Sequence, residues 1–186
     1  MDFLLYIRDM IQLILSPRKG WEDVSADGFP PAVLFRSGLM PLIFIAAAAQ
    51  MLQWAYHPDV AWWIWTERSL VVLLKLVAAY YIASFAFSLY LPTCVDGTYS
   101  ETKCLTFITY GVGIIALIEF ITNCMPMTFP VLYMLPIYTL YVLWRGLRYM
   151  SVSFTGVGTF ILLILFALIL PSYLIQALFN LILPAV

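Results

Sequence analysis

Five stretches of the chain, each about twenty residues long, contain almost no charged side chains. A helix rises about 1.5 Å per residue, so roughly 20 apolar residues are needed to cross about 30 Å of bilayer hydrocarbon. The stretches that meet this requirement are residues 38–56, 69–91, 105–123, 127–144 and 153–175. Composition agrees, because 64% of the 186 residues are apolar and only 10% are charged, whereas about a quarter of a soluble domain is charged. We therefore predict an all-α integral membrane protein with five transmembrane helices.

Prolines interrupt the last two of these stretches. Pro130 and Pro136 lie within the fourth stretch, where we expect a kink. No charged residue follows Arg148, and a straight helix from there to the end of the sequence would be roughly 57 Å long, far more than one bilayer thickness. We therefore expect a break near Pro171. The sequence leaves open whether residues 171–186 span, kink or lie in the interface.

The first fifteen residues follow a different pattern. At 100° per residue, the polar side chains fall within an arc of about 120° and apolar side chains cover the rest of the helix. The polar set is Asp2, Arg8, Asp9, Gln12 and Ser16. This predicts an amphipathic helix that is too short to span, lies in the membrane interface and ends before Pro17. We interpret residues 1–37 as this cytoplasmic helix and the segment leading into the first span, and residues 38–186 as the five-span membrane domain.

Basic residues predict the orientation of the chain. With the N-terminus on the cytoplasmic side, seven basic residues fall on cytoplasmic segments, namely Arg8, Arg18, Lys19, Arg36, Lys103, Arg145 and Arg148. The opposite side then holds Arg68, with Lys75 just inside the second span. An excess of Lys and Arg marks the cytoplasmic side, so we predict a cytoplasmic N-terminus and a multi-pass protein of a cell membrane.

Two ionisable residues lie inside the predicted spans. Lys75 is in the second and Glu119 in the third, and a charge in hydrocarbon costs roughly 2.5 to 3.5 kcal/mol on insertion scales. Both are expected near the outer ends of their helices, where they can reach each other. One interpretation is an ion pair that ties the two spans together, or a snorkelling Lys75 with a solvated Glu119. The other is a proton or ion site, and Asn123, one turn after Glu119, could complete either arrangement.

Hydroxyl-bearing side chains form a stripe on the second span. Tyr81, Ser84 and Ser88 follow i, i+3, i+7 spacing and therefore share one helix face. Such stripes mark either close helix packing or a hydrated substrate path. Both interpretations stay open from the sequence, and Asn123 belongs to the same set of polar candidates.

Motifs for catalysis or metal binding are missing from the sequence. The single histidine, His57, precedes Pro58 in a predicted outer loop, and none of the three cysteines has the spacing of a metal site. No nucleophile and base occur in a recognisable arrangement. The formal charge of −1 provides no basic surface for nucleic acid. We predict no enzymatic activity, no cofactor, no metal and no nucleic-acid partner.

The order of features resembles a known family. The segment Ser16-Pro17-Arg18-Lys19-Gly20-Trp21-Glu22 follows an amphipathic helix and precedes five spans. This arrangement is similar to the bacterial branch of the Yip family, the Ypt/Rab-interacting five-span membrane proteins. Two further stretches resemble the family as well. One is residues 96–99 leading through Lys103 to Tyr110, and the other is residues 138–141 leading to residues 146–148. One departure is Gly113, where the family often has a proline.

The resemblance implies a non-enzymatic scaffold or adaptor that organises the membrane or partner membrane proteins, in a bacterial inner membrane. Its implied partners are the lipid bilayer and other membrane proteins or a second copy of the chain. A Rab-type partner is not expected, because the 37 residues before the first span contain no second folded domain. Pro17 and Trp21 would act as an interface anchor, in which proline ends the helix and Trp21 sets its depth, or would merely fix the approach to the first span. The alternative function is a transporter or channel component whose path is lined by Lys75, Glu119 and the hydroxyl stripe.

Overall fold

The computed structural model describes residues 2–96, 99–125 and 134–182. Within these ranges the chain forms seven helices. They are α1 (Phe3–Leu15), α2 (Pro17–Asp27), α3 (Pro31–Tyr56), α4 (Trp62–Tyr90), α5 (Glu101–Cys124), α6 (Leu135–Arg145) and α7 (Val157–Ile182).

Four helices of the described ranges are long and apolar enough to cross a membrane. They are α3, α4 with the short 3₁₀ turn that follows it, α5 and α7, and each has 24 residues or more. At about 1.5 Å per residue, each reaches at least about 36 Å and exceeds the hydrocarbon thickness. The chain therefore has the helices of an all-α, multi-pass membrane protein. The predicted span 127–144 lies partly outside the described residues, and its described part is α6.

Two helices begin earlier than the sequence predicts. Helix α3 begins at Pro31 instead of residue 38, and α4 begins at Trp62 instead of residue 69. The first of these extensions contains Arg36, and the second contains Glu67 and Arg68. Hydropathy locates only the part of a helix that lies in hydrocarbon. The hydrogen-bonded helix continues into the interfacial layer, where charged side chains meet water.

The expected break near Pro171 does not occur. Helix α7 runs through Pro171 to Ile182, and a π-helical turn, Ile164–Ile169, comes just before the proline. Proline lacks an N–H group and crowds the preceding turn, so the wider turn accommodates it without ending the helix. Residues 183–186 lie outside the described residues.

Helix α5 forms the centre of the bundle. It packs against α1, α3, α4, α6 and α7, and its apolar window is more buried than those of the other long helices. Small residues permit these approaches, since a Cβ atom on Gly111 would lie 2.8 Å from Cδ1 of Leu168 in α7. Close packing against small residues is the usual way in which membrane helices associate.

Helices α1 and α2 form a hairpin that docks into the bundle. Tyr6, Met10 and Leu13 of α1 are fully buried against α3, α5 and α2, while Leu4 and Leu15 are each 78% exposed. Asp9, which the helical pattern places on the water-facing side, is buried as well and pairs with Arg8 at 2.9 Å. The helix is amphipathic as predicted, and it packs one face on the protein.

Candidate functional site

The ring of Tyr6 occupies a slot between α3 and α5. Its hydroxyl donates to the carbonyl oxygen of Thr109 at 2.9 Å, and its ring stacks on Tyr110 with centroids 5.2 Å apart. Gly38 and Gly113 form the walls, because a Cβ atom on Gly38 would lie 2.5 Å from Cγ of Tyr6 and one on Gly113 would overlap the hydroxyl oxygen. Burial raises the pKa of Tyr6 well above its usual value, so the hydroxyl stays a neutral donor. These contacts fix α1 to the bundle.

Replacing Gly113 by alanine is expected to displace Tyr6 and weaken the docking of α1. The added methyl group would force the hydroxyl away from Thr109, and we expect the free energy of unfolding to fall by about 1 to 3 kcal/mol. Reversible unfolding in mixed micelles with a denaturing detergent measures this loss. In a Tyr6→Phe background the obstructing oxygen is absent, so Gly113→Ala should lower the free energy of unfolding by clearly less.

Gly158→Ala is the matched control for this experiment. A Cβ atom at Gly158 would meet no atom within 4 Å, so this variant should keep the stability of the parent protein. If Gly113→Ala lowers the free energy of unfolding equally in the parent protein and in the Tyr6→Phe background, the Tyr6 hydroxyl does not lie against Gly113.

Trp21 lies inside the protein at the point where α2 meets the bundle. It is 3% exposed and stacks on Phe107 of α5 at 5.1 Å and on Tyr149 at 5.2 Å. Its indole Nε1 donates to the carbonyl oxygen of Val142 in α6 at 3.0 Å. Trp21, which the sequence predicts as an interface anchor, therefore forms a buried joint between helices. Pro17 occupies the first position of α2, where its fixed φ suits a helix start.

Lys75 and Glu119 lie next to each other within the bundle. The Lys75 ammonium nitrogen is 2.7 Å from Oε1 of Glu119 in α5 and 2.9 Å from Oε1 of Gln176 in α7. Gln176 in turn donates to Asn180 at 3.0 Å. Lys75 is 3% exposed, and because α4 begins at Trp62, it lies about 20 Å along its helix. One buried cation therefore joins α4, α5 and α7.

Sequence reasoning missed Gln176. It is an amide in a long apolar stretch, with Asn180 one turn later. Two amides at i, i+4 spacing on one face of an apolar helix were the available signal.

A small cavity adjoins this polar cluster within the part of the chain that the structure describes. A cavity of about 10 Å³ lies beside Glu119, between α5, α6 and α7, and it is lined in part by Pro136, Ile169 and Tyr173. Such a volume holds about one water molecule. The side chain of Glu119 is 22% exposed, so the carboxylate is near the surface while the ammonium group is enclosed. The arrangement can hold helices together, and this small cavity is too small for a hydrated ion.

The other polar candidates lie apart from this cluster. Asn123 is buried, and its side chain donates to the carbonyl oxygen of Ala46 at 3.1 Å, which ties α5 to α3. Tyr81 and Ser88 are exposed on the outside of α4, and Ser84 is partly buried. The structure therefore does not bring Tyr81, Ser84 and Ser88 together into one interior path, because they straddle the edge between the packed and the outward face of α4.

Within the described residues, no group of three or more His, Cys, Asp or Glu side chains is placed to hold a metal ion. His57 is exposed and stacks on Trp65 with centroids 5.9 Å apart. Cys94, Cys104 and Cys124 are free thiols.

Comparison with protein-family models, curated proteins and solved structures finds no match to this chain.

Proposed function

We propose that the protein is a non-enzymatic membrane scaffold or adaptor of the Yip type, which holds partner membrane proteins or organises the bilayer of a bacterial inner membrane. The observation that carries this proposal is the docked α1–α2 hairpin. Tyr6 and Trp21 fix it to the bundle through buried hydrogen bonds and ring stacking. A hairpin held in this way presents a fixed surface outside the membrane, which is what an adaptor needs. The motif around Pro17 and Trp21 supports the family assignment.

The proposed topology has five spans and a cytoplasmic N-terminus. The segment before α5 pairs with the segment after α6 through the amide of Asp96 and the carbonyl oxygen of Ser151 at 3.0 Å. The other end of α5 lies near α3, where Gln53 donates to the carbonyl oxygen of Met125 at 3.0 Å. Because Met125 lies at that other end and Ser151 lies beside the first end, α6 is on the way back along α5, which supports a fourth crossing between α5 and α7. The excess of Lys and Arg at that first end favours its location on the cytoplasmic side.

Photocrosslinking in native membranes tests the adaptor proposal. Photoreactive residues at Lys19 and Ala26, both exposed on α2, should capture one and the same protein, or a second copy of the chain. The matched control is Asp59, which is exposed in the α3–α4 connection on the predicted opposite side. Capture of the same protein at Asp59, or of lipid alone at all three positions, would contradict the proposal.

A transporter or channel component is the second candidate function, because a buried Lys75–Glu119 pair contacts three helices. Proton or ion flux into vesicles that contain the purified protein separates the two proposals. A scaffold should give the same flux as protein-free vesicles. Flux that the parent protein supports and Glu119→Gln abolishes would favour the transporter and overturn the scaffold.

A further inference from the structure

A groove lies where α2 meets the end of α6. Its volume is about 480 Å³, within the range of about 300 to 1,000 Å³ that small-molecule sites occupy. Three arginines line it, Arg18 from α2 and Arg145 and Arg148 from the end of α6 and the following turn, together with one carboxylate, Glu22. The groove therefore carries an excess of positive charge.

Aromatic rings line the same groove and indicate where it lies relative to the membrane surface. Trp21 and Tyr149 contribute from the buried joint, and Trp144 contributes from the last turn of α6, where it is 45% exposed. The Arg145 guanidinium lies 5.8 Å from the centroid of the Trp144 ring and donates to the hydroxyl of Tyr141 at 3.1 Å. Exposed Trp and Tyr rings at the end of a membrane helix are typical of the headgroup layer.

The charges in the groove are incompletely balanced by the protein. Glu22 approaches Arg18 at 3.5 Å, longer than a charge-assisted hydrogen bond, and both side chains are exposed. Arg145 and Arg148 form no ion pair within the described part of the chain. Guanidinium groups present a planar fork of donors that matches phosphate oxygens. Nε and Nη2 of Arg145 donate to the Tyr141 hydroxyl, and the remaining guanidinium donors are suited to a phosphate group that enters from the membrane side.

We propose that this groove binds the phosphodiester headgroup of an anionic phospholipid, with Arg145 and Arg148 on the phosphate and Trp144 against the adjoining glycerol and acyl region. A basic pocket at the cytoplasmic end of membrane helices suits such headgroups. Glu22 competes with the phosphate for Arg18. The proposal concerns lipid and stands whether or not a protein partner is found.

Binding of phosphatidylglycerol to the purified full-length protein in neutral detergent tests the proposal, with native mass spectrometry as the readout. Phosphatidylglycerol should bind more tightly than phosphatidylcholine, which carries no net charge. Arg145→Gln and Arg148→Gln should each weaken binding about five-fold, and the double variant about 25-fold. Glu22→Gln should strengthen binding, because it removes the competing carboxylate.

Arg36→Gln is the control of equal charge change, since Arg36 is exposed at the start of α3 and outside the groove. It should leave the affinity within about two-fold of the parent value, because Arg36 does not line the groove and its exposed charge is screened by salt. Equal losses from Arg36→Gln and Arg148→Gln, or equal binding of the two lipids, would overturn the proposal. Displacement of the lipid by millimolar glycerol 3-phosphate would overturn the lipid assignment in favour of a soluble phosphate ester. Thermal unfolding of each variant verifies the fold, and a gain from Glu22→Gln cannot arise from misfolding.

Discussion

Replacing Glu119 by leucine is expected to lower the free energy of unfolding by about 3 to 5 kcal/mol. Lys75 is almost fully enclosed, and this change removes the carboxylate 2.7 Å from its ammonium nitrogen. The amide oxygen of Gln176 stays in contact at 2.9 Å, but a neutral group cannot compensate a buried charge. Unfolding by denaturing detergent in mixed micelles measures the loss, with the parent protein as the reference.

The double variant Lys75→Met/Glu119→Leu separates charge from packing. Removing both partners leaves two apolar side chains of similar size in an apolar region, so the double variant should recover most of the lost stability. If it is as unstable as Glu119→Leu alone, the pair is not the origin of the effect. A structural pair also predicts that the double variant still captures its partner from Lys19 and Ala26.

Sequence reasoning could select Lys75 and Glu119 but not their full surroundings. Two charges in otherwise apolar stretches stand out, because hydrocarbon does not tolerate an isolated ion. Gln176 lies 101 residues from Lys75 in the chain. A neutral amide is far less costly in a membrane helix, so its position carries a weaker signal. The third member of the cluster is visible only once α4, α5 and α7 are packed together.

The same limit applies to the N-terminal hairpin. Helical periodicity separates the apolar from the polar side of α1, but lipid and protein interiors are both apolar, so the pattern does not say which of them covers a given face. Tyr6 is covered by protein and Leu4 is not. What selects the protein contact is the pair Gly38 and Gly113, which lie far apart in the sequence and leave room for one ring. Similarly, the spacing from Pro17 to Trp21 predicts that Trp21 has a role at the start of the bundle, but it does not reveal which residues the indole contacts.

Replacing Trp21 by alanine is expected to lower the free energy of unfolding by about 3 to 5 kcal/mol, as for other large buried aromatic side chains. The change removes stacking on Phe107 and Tyr149 and leaves the carbonyl oxygen of Val142 without its indole donor. Because these contacts hold α2 to the bundle, the hairpin should open before the spans separate. Limited trypsin digestion should detect this opening as faster cleavage at Arg18 and Lys19.

Two further substitutions distinguish a buried joint from an interface anchor. Trp21→Phe keeps a ring between its neighbours and loses the hydrogen bond to Val142, so it should cost only about 1 kcal/mol. Trp144→Ala removes a ring that is 45% exposed, and it should cost less than Trp21→Ala because much of that ring already contacts the surroundings of the protein. If Trp21 is a buried joint, Trp21→Ala should lower the free energy of unfolding more than Trp21→Phe or Trp144→Ala does. If Trp144→Ala is the more damaging change and cleavage in α2 is unaltered by Trp21→Ala, the buried stacking does not hold the hairpin.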